Sequence, residues 1–381
     1  MTSPATLAPA DATARRLERV RELLDRLSLD ALLISRGALK RWLSGFVLLR
    51  PEDPSHGYAG TMLITRDRQL ILADSRYTEQ AEAEAPGWTV IRTRRRLARE
   101  VADLFAEHGI ARCGLEALLV SHAAWDGIAQ LAPATELVAI DDDLVPLRIV
   151  KDSTELAAIE RACAFTDACF EQMLPLIRAG VSELELSFQL EDLLRHSGAE
   201  APAFDSLVLF GSRAAMPHGI PTPARLEAGQ AVLLDFGAQV DGYRADMTRT
   251  VFCDEPGEEA RRLYQLVAGA QLAAEEAVRP GIAGSEVHAI AAAHIEAAGE
   301  PAFQHGLGHG IGLETHEPPS LKRADDPDDE RAPLDVGMTF TIEPGIYLPG
   351  RVGIRIEDDY LLASEGLRRL TASSRDLIVV G

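Results

Sequence analysis

Residues Val232–Phe252 read VLLDFGAQVDGYRADMTRTVF, and the Asp241-Gly242 pair at the centre is a strong signal for a two-residue hairpin turn. If Val240 pairs with Tyr243, the same register sets Asp235 opposite Thr248 and makes Asp246 its diagonal neighbour, two residues away. Even spacing keeps both acids on one face of the sheet, roughly 7 Å apart at the backbone. Two carboxylates crowded on one face raise each other's pKa and oppose folding unless positive charge intervenes.

Three later stretches carry the same anomaly of acids and imidazoles where a core strand would hold Val or Ile. They are HGLGHGIGLETHE from His305 to Glu317, TFTIEPGIY containing Glu343, and GIRIEDDY containing Glu357. Asp235, Asp246, His309, Glu343 and Glu357 together read as a two-metal site, in which four carboxylates are matched by two divalent cations. Such a pair of ions lowers the pKa of a shared water towards roughly 7. Oxygen-rich ligation with one imidazole suits Mn, Fe, Co or Zn, and the lack of thiolate argues against a structural zinc site. Asp241 is read as a turn former, and Asp358 and Asp359 as solvent-facing or as supports behind the ligands. His288 and His294, in an alanine-rich helical stretch, are given structural roles. There is no H-E-x-x-H and no phosphate-binding G-x-G-x-x-G.

The rest of the chain supplies a frame for these residues. At 381 residues, two domains are expected. Helical and strand-like periodicities interleave: helix over 11–27, strand over 31–34, strands over 60–65 and 69–74, helix over 76–84, strand over 88–92, helix over 97–108, a helix around Trp125 and a strand at ELVAI. This pattern predicts an α/β domain over 1–145, with the acidic run Asp141 to Asp143 as linker. Residues 146–381 then open on a long helix announced by Ser153 or Thr154 ahead of Glu155. In that second domain RAGVSELELSFQLEDLLRHSGAEAPAF, from Arg178, is echoed by RPGIAGSEVHAIAAAHIEAAGEPAF, from Arg279. The repeat predicts two similar α+β halves with a site between them: Asp235 and Asp246 follow the first copy, and His309, Glu343 and Glu357 the second.

Composition narrows the function classes. The formal net charge is −21, from 38 Lys+Arg against 59 Asp+Glu, which repels nucleic acid and anionic membranes as partners. Residues 1–10 lack a basic start and an apolar core, and no run approaches the roughly 18 apolar residues of a membrane span, so a cytoplasmic location is expected. Cys113, Cys163, Cys169 and Cys253 show no paired spacing and are expected as reduced core thiols.

In order and spacing, the segments MPHG (216–219), DFGAQVDGYRADMTRT, HGLGHGIGLETHE, TIEPGIY and GIRIEDD resemble the motifs of the pita-bread metallopeptidases, in the Xaa-Pro aminopeptidase (aminopeptidase P) and prolidase branch. The resemblance covers essentially the whole chain and implies a creatinase-like α/β N-terminal domain ahead of an α+β pita-bread catalytic domain with a pseudo-twofold duplication. It implies two divalent ions, manganese foremost, with cobalt, zinc or iron as alternatives. Asp235, Asp246, His309, Glu343 and Glu357 would be the ligands, Asp246 and Glu357 bridging both ions. Among catalytic groups, Glu343 would also shuttle the proton of the bridging water, His218 and His316 would contact the substrate carbonyl, and Arg355 would clamp the acids. His305, with His218, would line the substrate pocket. The implied reaction is attack by a metal-bridging hydroxide on the Xaa-Pro bond at the N-terminus of short peptides with proline at the second position. A dipeptidase of the same chemistry is the alternative, and it needs a cation for the substrate's free carboxylate, with Arg213, Arg244 and Arg351 as candidates. A homodimer or homotetramer is implied, with Trp42 or the loop LLRPEDPSHGY (48–58) reaching a neighbouring site. A creatinase-type C-N hydrolase, a methionine aminopeptidase and a non-enzymatic binding module of the same fold are the rival readings.

Overall fold

In the computed structural model of the protein, residues 10–48, 59–94, 96–326 and 333–381 are described. They divide into two compact units, one ending at Arg148 and the other beginning at Ile149. Residues 49–58 of the loop expected to reach a neighbour lie outside the described residues. Trp42, its expected companion, is instead packed within its own unit, 1% exposed, with the guanidinium groups of Arg16 and Arg19 over its ring.

The first unit runs α1 (Ala10–Leu27), β1 (Ala31–Ile34), α2 (Gly37–Ser44), β2 (Thr61–Thr65), β3 (Gln69–Ala73), α3 (Thr78–Glu84), β4 (Thr89–Arg92), α4 (Leu97–His108), β5 (Arg112–Leu115), α5 (His122–Leu131), β6 (Glu136–Ala139) and α6 (Asp141–Leu144). Its described strands form one sheet in the order β4-β3-β2-β1-β5-β6, mixed in direction. The apolar runs ALLI and TMLIT are buried throughout, which is why they read as continuous rather than alternating. Asp141 to Asp143 are the first turn of α6 and not a free linker: the Asp141 carboxylate accepts hydrogen bonds from the backbone N–H groups of Ala117 and Leu118 at 2.9 and 3.1 Å.

The second unit contains α7 (Ser153–Met173), α8 (Glu183–His196), β7 (Ala201–Pro202), β8 (Leu207–Phe210), β9 (Ala231–Phe236), β10 (Ala238–Val240), β11 (Tyr243–Arg244) and β12 (Met247–Cys253). The succession then begins again with α9 (Glu258–Ala277), α10 (Gly284–Ala297), β13 (Gly308–Gly310), β14 (Glu317–Leu321), β15 (Thr339–Ile342), β16 (Gly345–Leu348), β17 (Val352–Arg355) and β18 (Asp358–Ala363), closing with β19 (Gly366–Arg369) and β20 (Val379–Val380). Each round is a long helix, a 14-residue helix and a group of antiparallel strands, so the repeat noticed in sequence marks two α+β halves. The cap of α7 sits one residue earlier than its sequence suggests: Asp152 accepts from the N–H groups of Thr154 and Glu155, and Glu155 reaches back to the Asp152 N–H.

The strands assemble as β20-β12-β9-β8 in one sheet and β14-β13-β15-β18-β19 in another. Separate apolar clusters back them, Phe170, Leu190 and Val232 on the first and Val267, Ile295 and Phe340 on the second. Strand β12 of the first sheet is tied to the second half where Thr250 Oγ1 donates to the carbonyl of Arg355, on the β16-β17 hairpin, at 3.0 Å and the Glu357 N–H, just before β18, donates to the carbonyl of Thr248 at 3.1 Å. Chain segments bearing acids from both halves are thereby brought side by side.

Candidate metal centre

The hairpin has the register its turn dictates. Asp241 and Gly242 have φ of 51° and 82°, Val240 pairs with Tyr243, and Asp235 stands opposite Thr248. Asp246 lies just before β12, and Glu357 just before β18 of the other half, while Glu343 directly follows β15. His309 rides on β13, whose neighbour Gly308 lets the strand approach β15 closely: a Cβ there would stand 2.0 Å from the Thr341 carbonyl oxygen.

These elements converge. Asp246, His309 and Glu357 offer ligand atoms that all lie within 4.8 Å of one another. His309 Nε2 is 3.7 Å from Asp246 Oδ2 and 3.5 Å from Glu343 Oε1. These separations are long for hydrogen bonds, but ligand atoms about 2.1 Å from a shared cation stand about 3 to 4 Å apart. Asp235 joins from β9 through Arg355, whose Nη2 donates to Asp235 Oδ2. Asp246 and Glu357 are 5% and 2% exposed, so they form the closed back of the cluster, while Asp235, His309 and Glu343 are partly open.

The electrostatics explain why a cation fits. Burial, then the charges of Glu357 and Asp235, push Asp246 well above the usual carboxylate range. Glu343 is driven up by burial and Glu357, and Glu357 reaches about 7 through burial and Asp235. Asp235 is also raised by burial, with Arg355 opposing the rise. Among the described residues, buried Asp235 Oδ1 and Asp246 Oδ1 find no hydrogen-bond partner. A buried acceptor left unmade costs about 1–3 kcal/mol, more when charged, and a divalent cation removes that cost at both atoms. His309 is prepared for the same role. Its Nδ1 donates to the Gly310 carbonyl at 3.1 Å, which leaves the Nε2 lone pair facing the acids, and burial, followed by His316, lowers its pKa to about 3.

Around this cluster stands a hydrogen-bonded frame. Arg355, 4% exposed, donates from Nε to Thr248 Oγ1 at 2.9 Å and from Nη1 to the Tyr347 hydroxyl at 3.0 Å. The Thr248 hydroxyl donates a hydrogen bond to Glu357 Oε2 at 2.6 Å. Tyr347 in turn donates to His305 Nε2 at 3.0 Å, and His305 Nδ1 donates to the Gly306 carbonyl. The bond from Tyr347 requires a neutral imidazole with its lone pair on Nε2, and burial together with Arg355 holds His305 at about 4. His316 places its ring 4.2 Å from that of His309 and is held below the usual histidine value by burial, against the pull of Asp235. His218 is exposed, and its charge bears on Asp235, His305 and His316.

Sequence reasoning missed Tyr347, Thr248 and Arg249; of the two places read for Asp358 and Asp359, solvent-facing or behind the ligands, both residues take the buried one. Asp359 is fully buried and accepts from the Asp246 N–H at 2.9 Å and from Cys163 Sγ at 3.4 Å. Asp358, equally buried, accepts from Arg249, Gln271 and Thr371. All four cysteines are free and buried. Two of the three arginines considered for a substrate carboxylate are held elsewhere, Arg213 on Glu183 and Arg351 on Glu259, while Arg244 donates to Thr315 Oγ1 beside His316.

A buried acid cluster with one lone-pair-exposing imidazole is the donor set of a metal centre, and comparison with known proteins says what kind of metal-dependent protein carries it. Residues 157–364 match Metallopeptidase family M24, and residues 16–150 match the Creatinase/Prolidase N-terminal domain. The chain is 34% identical to the uncharacterized peptidase YqhT of Bacillus subtilis over 366 residues, spanning 96% of this chain and 100% of that protein. It is 33% identical to a Xaa-Pro dipeptidase of Pyrococcus horikoshii, over 97% of this chain and all of that one. Among solved structures, a Xaa-Pro dipeptidase from Bacillus anthracis superposes with a TM-score of 0.88 at 34% identity, covering 97% and 100% of the two chains. An X-Pro aminopeptidase from Thermotoga maritima gives 0.84 at 34%, covering 96% and 100%. The chain therefore belongs to metallopeptidase family M24, with a creatinase-type N-terminal domain ahead of a pita-bread catalytic domain. It is a metal-dependent peptidase. Among the described residues no helix is long and apolar enough to cross a membrane.

Proposed function

We propose that this peptidase hydrolyses the bond between an N-terminal residue and a following proline, with two divalent cations, manganese foremost, held by Asp235, Asp246, His309, Glu343 and Glu357. The observation that carries the reading is the buried Asp246–His309–Glu357 cluster, flanked by Asp235 and Glu343, with orphaned carboxylate oxygens on both aspartates. The dipeptide is the favoured substrate, because most of the relatives that carry a substrate in their names and match over nearly their full length are Xaa-Pro dipeptidases or prolidases. An aminopeptidase P-like preference for longer peptides is the second reading, favoured by the Thermotoga maritima structure.

Bound at this centre, the cations supply Lewis acidity and a more acidic water. The protein's own groups do the rest. Arg355 fixes the orientation of Asp235, and Thr248 that of Glu357, so the ligands are ordered before metal arrives. His218 and His316 face the substrate carbonyl and stabilise the charge that develops on its oxygen, where losing one donor costs roughly 3 to 4 kcal/mol of barrier. In this reading Glu343 takes up the proton that the attacking water gives up and passes it to the prolyl nitrogen. That nitrogen carries no hydrogen in the intact amide, so it leaves only when protonated. His305, neutral and fixed through Tyr347, forms a wall for the substrate.

The test pairs composition with activity. Metal analysis of purified protein should find up to two cations per chain, and manganese should restore turnover of Xaa-Pro substrates after chelation. Asp246→Ala and Glu357→Ala should abolish turnover while circular dichroism stays native. Near-normal turnover in metal-depleted protein would refute the mechanism, and a loaded enzyme that prefers Xaa-Pro-Xaa peptides to Gly-Pro would move the assignment to the aminopeptidase.

A further inference from the structure

We infer that Glu183 is a positioning residue for His218: its buried carboxylate closes both ends of the loop that carries this histidine, and so sets where the imidazole meets the substrate carbonyl. The inference rests on the Xaa-Pro reading above, in which His218 stabilises charge on that oxygen. Glu183 is the first residue of α8, a place where an acid ordinarily serves the helix itself. Here that task is already filled, because Ser182 accepts from the Glu185 N–H and Glu185 reaches back to the Ser182 N–H. Glu183 is instead turned inward and fully buried. A buried carboxylate is costly unless it is paired, so its partners show what it holds.

Those partners all lie on the stretch between β8 and β9. At the end of β8, Oε1 accepts from the Phe210 N–H at 2.9 Å, and just beyond it Arg213 Nε donates to both carboxylate oxygens at 2.9 Å. On the returning arm, Oε2 accepts from the Thr222 N–H at 2.9 Å and from the Thr222 hydroxyl at 2.8 Å. Arg213 Nη2 donates to the Ile220 carbonyl at 2.8 Å and joins the arms a second time. The backbone of α8 adds two bonds, from the Glu183 N–H to the Ala224 carbonyl and from the Leu184 N–H to that of Thr222. Between the arms the chain makes two tight turns. The Met216 N–H donates to the Arg213 carbonyl and the Gly219 N–H to that of Met216, with Pro217 and His218 at the corner of the second. On its other side the loop lies against β17, which ends in Arg355: a Cβ on Gly353 would stand 1.9 Å from the Ala214 carbonyl oxygen. His218 is exposed, and among the described residues its ring makes no hydrogen bond, so the backbone that Glu183 closes sets its place. A misplacement of about 1 Å in such a group costs about 100-fold in rate.

The experiment is a double-mutant cycle of Glu183→Gln with His218→Ala in the manganese-loaded full-length enzyme, on whichever of Gly-Pro and Gly-Pro-Ala the wild type cleaves faster. Glutamine keeps the size of the side chain but turns an NH2 group towards donors that need an acceptor. Glu183→Gln should lower kcat by about 10- to 100-fold and change KM by less than about threefold. In the His218→Ala background the same change should lower kcat by less than about threefold, since no imidazole is left to misplace. Calorimetry should find manganese affinity within about threefold of wild type, because Glu183 touches none of the proposed ligands. An undiminished kcat, an equal loss in both backgrounds, a change confined to KM, or a fall in manganese affinity large enough to account for the lost turnover would each overturn the inference alone. Should Glu183→Gln not fold, Thr222→Val decides through the same cycle, with an expected loss of about 3- to 10-fold that vanishes without His218 and an equal loss or none overturning the inference. Wild-type enzyme that cleaves neither substrate refutes the Xaa-Pro reading, and His218→Ala with undiminished kcat refutes the role given to His218; the inference falls with either.

Discussion

Removing the metal should make the protein lose stability as pH rises from 6.5 to 8.0, a trend the loaded enzyme should lack. A carboxyl whose pKa is higher folded than unfolded contributes stability that is full below its unfolded pKa and is lost as pH climbs through the folded value. Glu357, lifted from 4.5 to about 7 by burial and Asp235, is one such group. Asp246 and Glu343 are raised well above their ordinary values, burial being the first cause for both, so their losses extend to higher pH. The histidines run the other way. His309 at about 3 and His305 at about 4 are lowered by burial, so the instability they bring appears as pH falls below 6.5 and is absent above it. The window from 6.5 to 8.0 therefore isolates the acids.

Each proton that the folded cluster keeps and the unfolded chain releases changes stability by about 1.4 kcal/mol per pH unit. Over this window one retained proton amounts to about 2 kcal/mol, or about 4–8 °C in Tm for a unit of this size. Cations at a thousand times their Kd add about 4 kcal/mol and take the place of those protons, which flattens or reverses the slope. Thermal melts of chelator-dialysed and manganese-saturated protein, followed by circular dichroism at constant ionic strength, measure both curves. Parallel curves, or a metal-free Tm that is flat or rising, would refute the argument that uncompensated acids dominate this site.

Other expectations follow from the frame around the cluster. Arg249 donates to the carbonyls of Thr248, Glu357, Ser373 and Ser374 and to Asp358, so Arg249→Met should destabilise by about 3–5 kcal/mol in denaturant melts, through four buried carbonyls left unmatched and an Asp358 that keeps only Arg369 and Arg375, at 3.8 and 3.9 Å. Gly308→Ala forces a Cβ onto the Thr341 carbonyl and should displace β13, so titration calorimetry should show manganese binding weakened by at least about tenfold, the lower end of what disturbing a ligand's support costs. Tyr347→Phe leaves a donor of Arg355 and Nε2 of His305 unmatched and should cost about 1–3 kcal/mol of stability while lowering kcat.

What was legible in the sequence was local. The Asp241-Gly242 turn fixes the pairing of Val240 with Tyr243, and counting outward from it puts Asp235 opposite Thr248, as the structure has it. The α1 and α4 helices were legible for a similar reason, since their apolar spacing lies within one element. What escaped depends on partners far along the chain. Tyr347 reads as a strand aromatic until Arg355 and His305 are seen on either side of its hydroxyl, and Asp358 reads equally as a solvent acid or a buried support until Arg249, 109 residues away, closes on it. The cap of α7 was misplaced by one residue because Asp152, Ser153 and Thr154 are all competent N-caps, and only the bonds formed distinguish them.

The duplication explains the acids of the site better than it explains the histidine. Asp235 sits near the end of β9 and Glu343 just after β15, while Asp246 and Glu357 immediately precede β12 and β18, the strands paired with β9 and β15. The halves thus contribute acids in matching places. β8, which flanks β9 as β13 flanks β15, reads LVLF and has no histidine to match His309. In the proposed two-cation centre one position would accordingly have the His309 imidazole within reach and the other would be held by carboxylate oxygens. Harder cations such as manganese tolerate oxygen shells, whereas ions that favour nitrogen gain most at the His309 side. Stepwise titration of the metal-free protein should therefore show two unequal affinities, and His309→Ala should weaken one of them while sparing the other. Two equal sites, or a loss of both together, would contradict this division of labour between the halves.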